Sequence, residues 1–294
     1  MERIVVEKEN LRLDQYISEA LNISRSKVQK LLKQDKITVN DKQEKASYLV
    51  NLDDVIEVDS DLDFSVKVEA KDIKIDIVYE DEYLMVINKE SGMVVHPAPG
   101  HYDDTLVNAL LHYFNIKSTT NIRIGIVHRL DKDTSGLMLV AKNDEVLDML
   151  SNMIKDKKVE RHYLALVDGV ISPDSGTIDA PIGRDKNLRE KMAVTDVNSK
   201  EAITHFKVLK RYEKNTLVEC ILDTGRTHQI RVHMAYIGYP VNNDPVYNTK
   251  KADSFGQMLH SKSIRFKHPI TGEEIYFEKE PPVEFVNKLN ELDI

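Results

Sequence analysis

Three short segments pack polar groups between apolar runs, and they are where this sequence could do chemistry. The first runs from Gly125 to Gly136, with His128, Arg129, Asp131, Lys132 and Asp133 set just before the apolar run Leu137–Ala141. Loops held on a rigid strand are common seats of catalytic groups, so Asp131 and Asp133 are both candidate carboxylates. A solvated loop closed by an Asp133-Thr134-Ser135-Gly136 turn would have the same composition. The second segment, Asp223 to Met234, places Arg226 beside Gly225 and ahead of a predicted helix. That helix is expected to be capped by Thr227, to bury Ile230, Met234 and Ile237, and to end at Gly238 before Pro240. An arginine at such a corner, next to a glycine that allows close approach, attracts carboxylates and phosphates. The third segment, Lys158 to Tyr163, ends on a tyrosine that opens an apolar strand. Tyr163 would serve equally as a core aromatic or as a ring in a site.

Other chemistries are excluded. No G-x-G-x-x-G follows a strand, and no P-loop, H-E-x-x-H or G-x-S-x-G motif occurs. The histidines at 128, 228 and 233 match no ligand spacing, so no metal site is expected. The single cysteine, Cys220, alternates with Val218 and Leu222 and reads as core, and one cysteine forms no disulfide framework.

The elements that must hold these segments are legible in outline. Leu13, Tyr16, Ile17, Ala20 and Leu21 form one apolar helical face, and a second helix is expected from an N-cap at Ser24, burying Val28, Leu31 and Leu32. Ile37–Val39 and Val55–Val58 read as short strands joined through turn chemistry at Asn40-Asp41. Residues 60–72 are polar, acidic and weakly patterned, and are read as a linker between a domain over 1–59 and a larger one over 73–294. In the larger part, Ile75–Tyr79 and Leu84–Ile87 are expected strands, and Asp104 is the expected cap of a helix through Leu106, Leu110 and Tyr113. Leu137–Ala141 and Tyr163–Val167 are apolar on both faces, as buried central strands are. Ile264–Phe266 and Ile275–Phe277 flank a predicted hairpin turn. Strands and helices mix without regular βαβ alternation, which favours an α+β fold.

The 294 residues carry 41 Lys and Arg against 49 Asp and Glu, a formal charge of −8. That balance argues against coating nucleic acid by bulk charge but permits a local basic face. One such face is visible. Arg25, Lys27, Lys30, Lys33 and Lys36 fall in a stretch whose only acid is Asp35. The N-terminus lacks the apolar stretch of a signal peptide, and no apolar run approaches the ~20 residues that span a bilayer, so a cytoplasmic protein without a membrane partner is expected.

Taken together, the segments resemble the RluA/RluD family of pseudouridine synthases. GIVHRLDKDTSGLMLVAK (125–142) resembles the family signature around the catalytic aspartate, and LDTGRTHQIRVHMAYIGYPVNNDPVY (222–247) its arginine motif. INKESGMVVHPAPG and TLVNALLHY resemble further family segments, with Glu90 standing where relatives usually carry proline. LRLDQYISEALNISRSKVQKLLKQDKITVNDK resembles an S4 RNA-binding domain. The resemblance implies a largely antiparallel catalytic sheet and a small N-terminal α/β S4-like domain. It also implies isomerisation of uridine in RNA to pseudouridine without cofactor or metal: the N1–C1′ bond breaks, the uracil turns, and a C5–C1′ bond forms. Asp131 would be the essential carboxylate, as nucleophile or as the base of a glycal route, with Arg226 as the guanidinium orienting it. Tyr163 would stack on uracil, Arg129 would fill the space the flipped base leaves, and His128 would be structural or face the RNA. Arg25, Lys27, Lys30 and Lys33 would meet RNA phosphates. Large-subunit ribosomal RNA or its precursor particle is the expected partner and a monomer the expected state. The alternatives are a tRNA uridine isomerase, or a non-catalytic RNA-binding or ribosome-assembly factor.

Overall fold

The computed structural model describes residues 2–21, 25–59, 68–98, 100–119, 124–188 and 191–293. The chain divides into two compact units, Met1–Val66 and Lys67–Ile294. Most of the expected linker, residues 60–67, lies outside the described residues, as does the expected cap Ser24. The end of that linker is structured, because Val68–Glu69 forms a short strand paired with Ser118–Thr119.

In the first unit, β1 (Glu2–Val5), α1 (Leu13–Ala20), α2 (Arg25–Lys33), β2 (Ile37–Val39) and β3 (Val55–Val58) follow in order. The antiparallel sheet has the order β1-β3-β2. Leu13, Ile17, Val28 and Leu31 sink into one core with Ile37, Val39, Ile56 and Val58. The periodicity that marks both helices is the stripe that meets the sheet.

The second unit continues with β4 (Val68–Glu69), β5 (Asp76–Glu80), β6 (Leu84–Lys89), α3 (Leu106–Tyr113), β7 (Ser118–Thr119), β8 (Ser135–Ala141) and α4 (Asp144–Lys155). Then come β9 (Val159–Asp168), β10 (Ser175–Asp179), β11 (Ile182–Arg184), β12 (Met192–Val194), β13 (Ile203–Arg211) and β14 (Asn215–Leu222). The chain closes with α5 (Gln229–Tyr236), β15 (Leu259–Lys267), β16 (Glu274–Glu278) and α6 (Val283–Glu291). The main sheet has the order β10-β13-β14-β9-β15-β8-β6-β5, with β16 on β15. Its pairs are antiparallel except β15 with β8.

Both faces of this sheet are covered. Met85, Ile87, Met138 and Val140 enter one core with Tyr163 and Ala165, while Leu84, Val86, Leu137 and Leu139 enter another with Val146 and Leu150 of α4. That is why β6 and β8 read as unbroken apolar runs. Among the described residues, no helix is long and apolar enough to cross a membrane.

Two expected helix caps are corrected. Thr105, not Asp104, caps α3, through a capping box with Asn108, while the Asp104 carboxylate accepts from His101 instead. α5 begins after His228, which adopts a left-handed φ of 58° and makes no side-chain cap bond, so Thr227 lies in the preceding turn.

Candidate active site

Asp131 stands at the tip of a chain reversal built on β8. The segment from Gly125 doubles back along that strand: Ala141 N–H donates to Gly125 O at 2.7 Å, and Ile126 bridges Val140. Leu139 N–H donates to His128 Nε2 at 3.1 Å. Glycine is required at both ends of the reversal. A Cβ on Gly125 (φ +63°) would lie 2.2 Å from Ala141 O, and one on Gly136 (φ +112°) 2.2 Å from Ser261 O. The tip is a turn in which Thr134 N–H donates to Asp131 O.

A buried lysine staples the tip from below. Lys89, at the end of β6 and 1% exposed, donates from Nζ to the carbonyls of Glu90 (2.7 Å), Met93 (2.9 Å) and Lys132 (2.8 Å). Burial pulls its pKa down to about 7, while Asp133 and Asp131 work the other way. Gly92 N–H also donates to Lys132 O, and Ser91 Oγ to Asp133 O. The turn is therefore fixed at successive carbonyls, without use of the Asp131 side chain.

The guanidinium that grips Asp131 is Arg231. Its Nη1 donates to Asp131 Oδ2 at 2.9 Å, and its Nε and Nη2 fork onto Asp244 at 2.7 and 2.9 Å. Arg231 is 4% exposed, and Asp131 17%. Burial opposes the charge on Arg231, but Asp244 and Asp131 outweigh it and raise its pKa further. Burial likewise opposes ionisation of Asp244; Arg231 and the N–H groups of Tyr247 and Val246 prevail, and its pKa is lowered. The result is a fixed cation presented to one oxygen of Asp131. The other, Oδ1, has the imidazole of His228 at 3.9 Å and no hydrogen bond among the described residues. That ring is turned by a 2.8 Å bond between Nδ1 and the Tyr247 hydroxyl, and burial lowers its pKa.

Arg226 therefore does not take the expected role of carboxylate partner. Its backbone N–H is held by Gln229 Oε1, and its Nε donates to Glu201 O at 2.8 Å from a half-buried position in the turn before α5. Arg231 lies in the first turn of the helix. Three residues before Met234, it projects about 60° from that core position, inside the buried arc. That placement was the sequence signal for it.

Asp131, Arg129, His128, Tyr163 and Arg226 nonetheless line one cleft of about 430 Å³, with Arg231 in its wall. Tyr163 is buried on β9, and burial raises its phenol pKa, so the ring enters the cleft protonated. Arg129 is exposed at the cleft. His128 faces inward, its Nε2 accepting from Leu139, with burial and then Arg161 pulling its pKa down to about 3. Through that bond the ring braces the reversal, while it also lines the cleft. In the first unit, Arg25 Nη2 donates to both oxygens of buried Asp14 at 3.1 Å, and Lys36 pairs with Asp59. Lys30 and Lys33 are exposed, and Lys27 is half-buried.

A family model described as RNA pseudouridylate synthase matches residues 83–236, and one described as S4 domain matches 11–56. The "Uncharacterized RNA pseudouridine synthase YlyB" of Bacillus subtilis is 47% identical over 97% of this chain and 95% of its own length. A "Ribosomal large subunit pseudouridine synthase D" of Pseudomonas aeruginosa is 40% identical over 94% of this chain and 90% of its own. Among solved structures, "Human RNA Pseudouridylate Synthase Domain Containing 1" is similar with a TM-score of 0.60 and 27% identity, covering 72% of this chain and 86% of that one.

Proposed function

The chain belongs to the RNA pseudouridylate synthase family and is a pseudouridine synthase; from that premise we propose that it acts on large-subunit ribosomal RNA, with Asp131 as the reacting carboxylate and no cofactor. One observation supports the role of Asp131: a carboxylate in a cleft with one oxygen held by a buried guanidinium and the other, among the described residues, without a hydrogen bond. Such a group is oriented yet unspent. Oδ1 attacks the ribose C1′ as uracil leaves, or removes a ribose proton on the glycal route, while Arg231 holds Oδ2. After the uracil turns, C5 bonds to C1′ as the Asp131–C1′ bond breaks or, on the glycal route, as the ribose proton returns; the C5 proton is then lost and N1 gains a proton. Nothing is oxidised or hydrolysed.

Tyr163 supplies an aromatic face for the extruded base, and Arg129 is exposed where the vacated stack would need filling. Residues 1–59 act as an RNA-holding domain, with Lys30 and Lys33 as its phosphate contacts. The ribosomal substrate is supported by the name of the P. aeruginosa relative, alike over nearly the whole chain. Pseudouridine mapping of ribosomal and transfer RNA, in cells with and without this protein, tests the assignment. The expected result is loss of specific large-subunit sites, restored by wild type and not by Asp131→Asn. Loss confined to transfer RNA refutes the ribosomal substrate.

A further inference from the structure

Among the described residues, a buried cation of the cleft, Arg161, has no partner. Arg161 lies on β9 two residues before Tyr163 and so on the same face of the strand. It is 4% exposed, its Nε is sealed from solvent without an acceptor, and among the described residues no carboxylate or carbonyl pairs with its guanidinium. The head group lies beside Gly225, where a Cβ would stand 3.4 Å from Nη1, and it lines the cleft. Burying an unpaired charge is costly, and native structures retain one where function uses it. Arg231, equally buried in the same cleft, is saturated by two carboxylates.

The groups around Arg161 deepen the imbalance. His128 accepts from Leu139 at Nε2, so its proton sits on Nδ1, which is also buried without a partner. Lys155 and Arg226 add positive charge to the same wall. The acids of the cleft are committed elsewhere, Asp131 to Arg231 and Asp223 to Lys157 and His205. Donors face donors here, and the missing element is an anionic acceptor.

We propose that Arg161, with the Nδ1–H of His128, forms an anion subsite in the cleft wall that takes a phosphate of the RNA chain next to the reacting uridine. A planar guanidinium fork matches two phosphate oxygens, and the imidazole N–H supplies a third donor. The occupied subsite would fix the sugar–phosphate chain on one side of the flipped nucleotide while Asp131 meets the ribose. Arg161 is thus a positioning residue. The identification of the anion as an RNA phosphate rests on the proposed function.

The test uses the full-length protein and the trinucleotide UUU, natural or with either phosphodiester replaced by an uncharged methylphosphonate. Wild type should bind one of the two analogues roughly tenfold more weakly than natural UUU, the scale of a hydrogen bond to a charged group. Arg161→Gln should bind natural UUU about as weakly and be indifferent to the replacement. Arg161→Lys, which keeps the charge without the fork, should recover part of the discrimination. The melting temperature of Arg161→Gln without RNA should equal or exceed that of wild type, whereas a merely structural arginine would lower it. Equal discrimination by wild type and Arg161→Gln, or none by wild type, overturns the subsite. Binding is read here without turnover. A protein that discriminates yet installs no pseudouridine in large-subunit RNA keeps the subsite and loses the proposed substrate.

Discussion

Asp14 and Asp131 are both carboxylates held by arginine, one in each unit, and they differ in how completely they are held. Asp14 is fully buried and accepts from Arg12, from Arg25 and from Gln29 at 2.6 Å, so both oxygens are occupied. Asp131 remains partly open, with Arg231 on one oxygen and, among the described residues, no hydrogen bond on the other. A saturated carboxylate joins α1 to α2 and has no capacity left to react. A half-satisfied one, fixed in direction by a cation that is itself anchored on Asp244, keeps a lone pair aimed into the cleft. Saturation separates a brace from a reagent more clearly than burial or the presence of an arginine does.

The comparison can be broken most severely at the arginines. Arg231→Met removes the grip on Asp131 and leaves Asp244 buried without its cation. Turnover should fall by about 10³-fold, the scale of losing a preorganised electrostatic contact, as measured by tritium release from RNA labelled at uridine C5. Arg25→Met takes one of three donors from Asp14 and should leave turnover within about threefold. Equal losses in the two variants would erase the distinction.

The structural role of Asp14 predicts a stability effect of intermediate size. Asp14→Ala should destabilise the first unit by about 2 kcal/mol, modest because both of its arginine partners are half exposed and re-solvate. Hydrogen exchange of the α1 and β3 amides reads this. Exchange in β8 and β9 should not change.

The pH dependence follows from the same group. The Arg12 bond lowers the Asp14 pKa most, burial works against it, and Gln29 and Arg25 add to the lowering. A depressed folded-state pKa means that the stabilisation is complete above the ordinary aspartate value, about 3.9, and is lost as pH falls below it. Acid titration of the first unit should therefore be steeper in wild type than in Asp14→Asn between about pH 5 and 2. Parallel curves would contradict the bonding described.

The smallest expected effect lies on the exposed face of α2. Replacing Lys30 and Lys33 by alanine should reduce the slope of log affinity against log salt by about 1.4–1.8 for two phosphate contacts. Turnover at saturating RNA should be unchanged. An unaltered slope would remove this face from the RNA contact.

The sequence made some of this plain and concealed the rest for identifiable reasons. Strands β8 and β9 were legible because both sheet faces are buried, and α1 and α2 because each buries a single stripe. Asp131 was legible from the loop around it, although Asp133 shared the same composition. The partner of Asp131 was read as Arg226 from the resemblance of its motif, and the adjacent glycine and predicted helix start suited an anion-binding arginine there. The turn before α5 commits Arg226 to the Glu201 carbonyl, and the helix carries Arg231 to Asp131 instead. Lys89 and Arg161 gave no local signal. Each is one cation at or within a strand, and its meaning depends on carbonyls or empty space contributed from far along the chain. Asp104 was preferred to Thr105 as a cap because the acid is the commoner signal, and only the Asn108 side chain, reaching back, decides between them.

The account turns on Asp131 being the half-satisfied carboxylate that reacts. Tritium release from large-subunit ribosomal RNA labelled at uridine C5 should be compared between wild type and Asp131→Asn, at protein concentrations that saturate RNA binding for both. Asparagine keeps the shape and an acceptor for Arg231 but cannot attack or deprotonate. The expected result is release by wild type and none by the variant, with RNA affinity and melting temperature unchanged within error. Release by Asp131→Asn within tenfold of wild type would contradict the account.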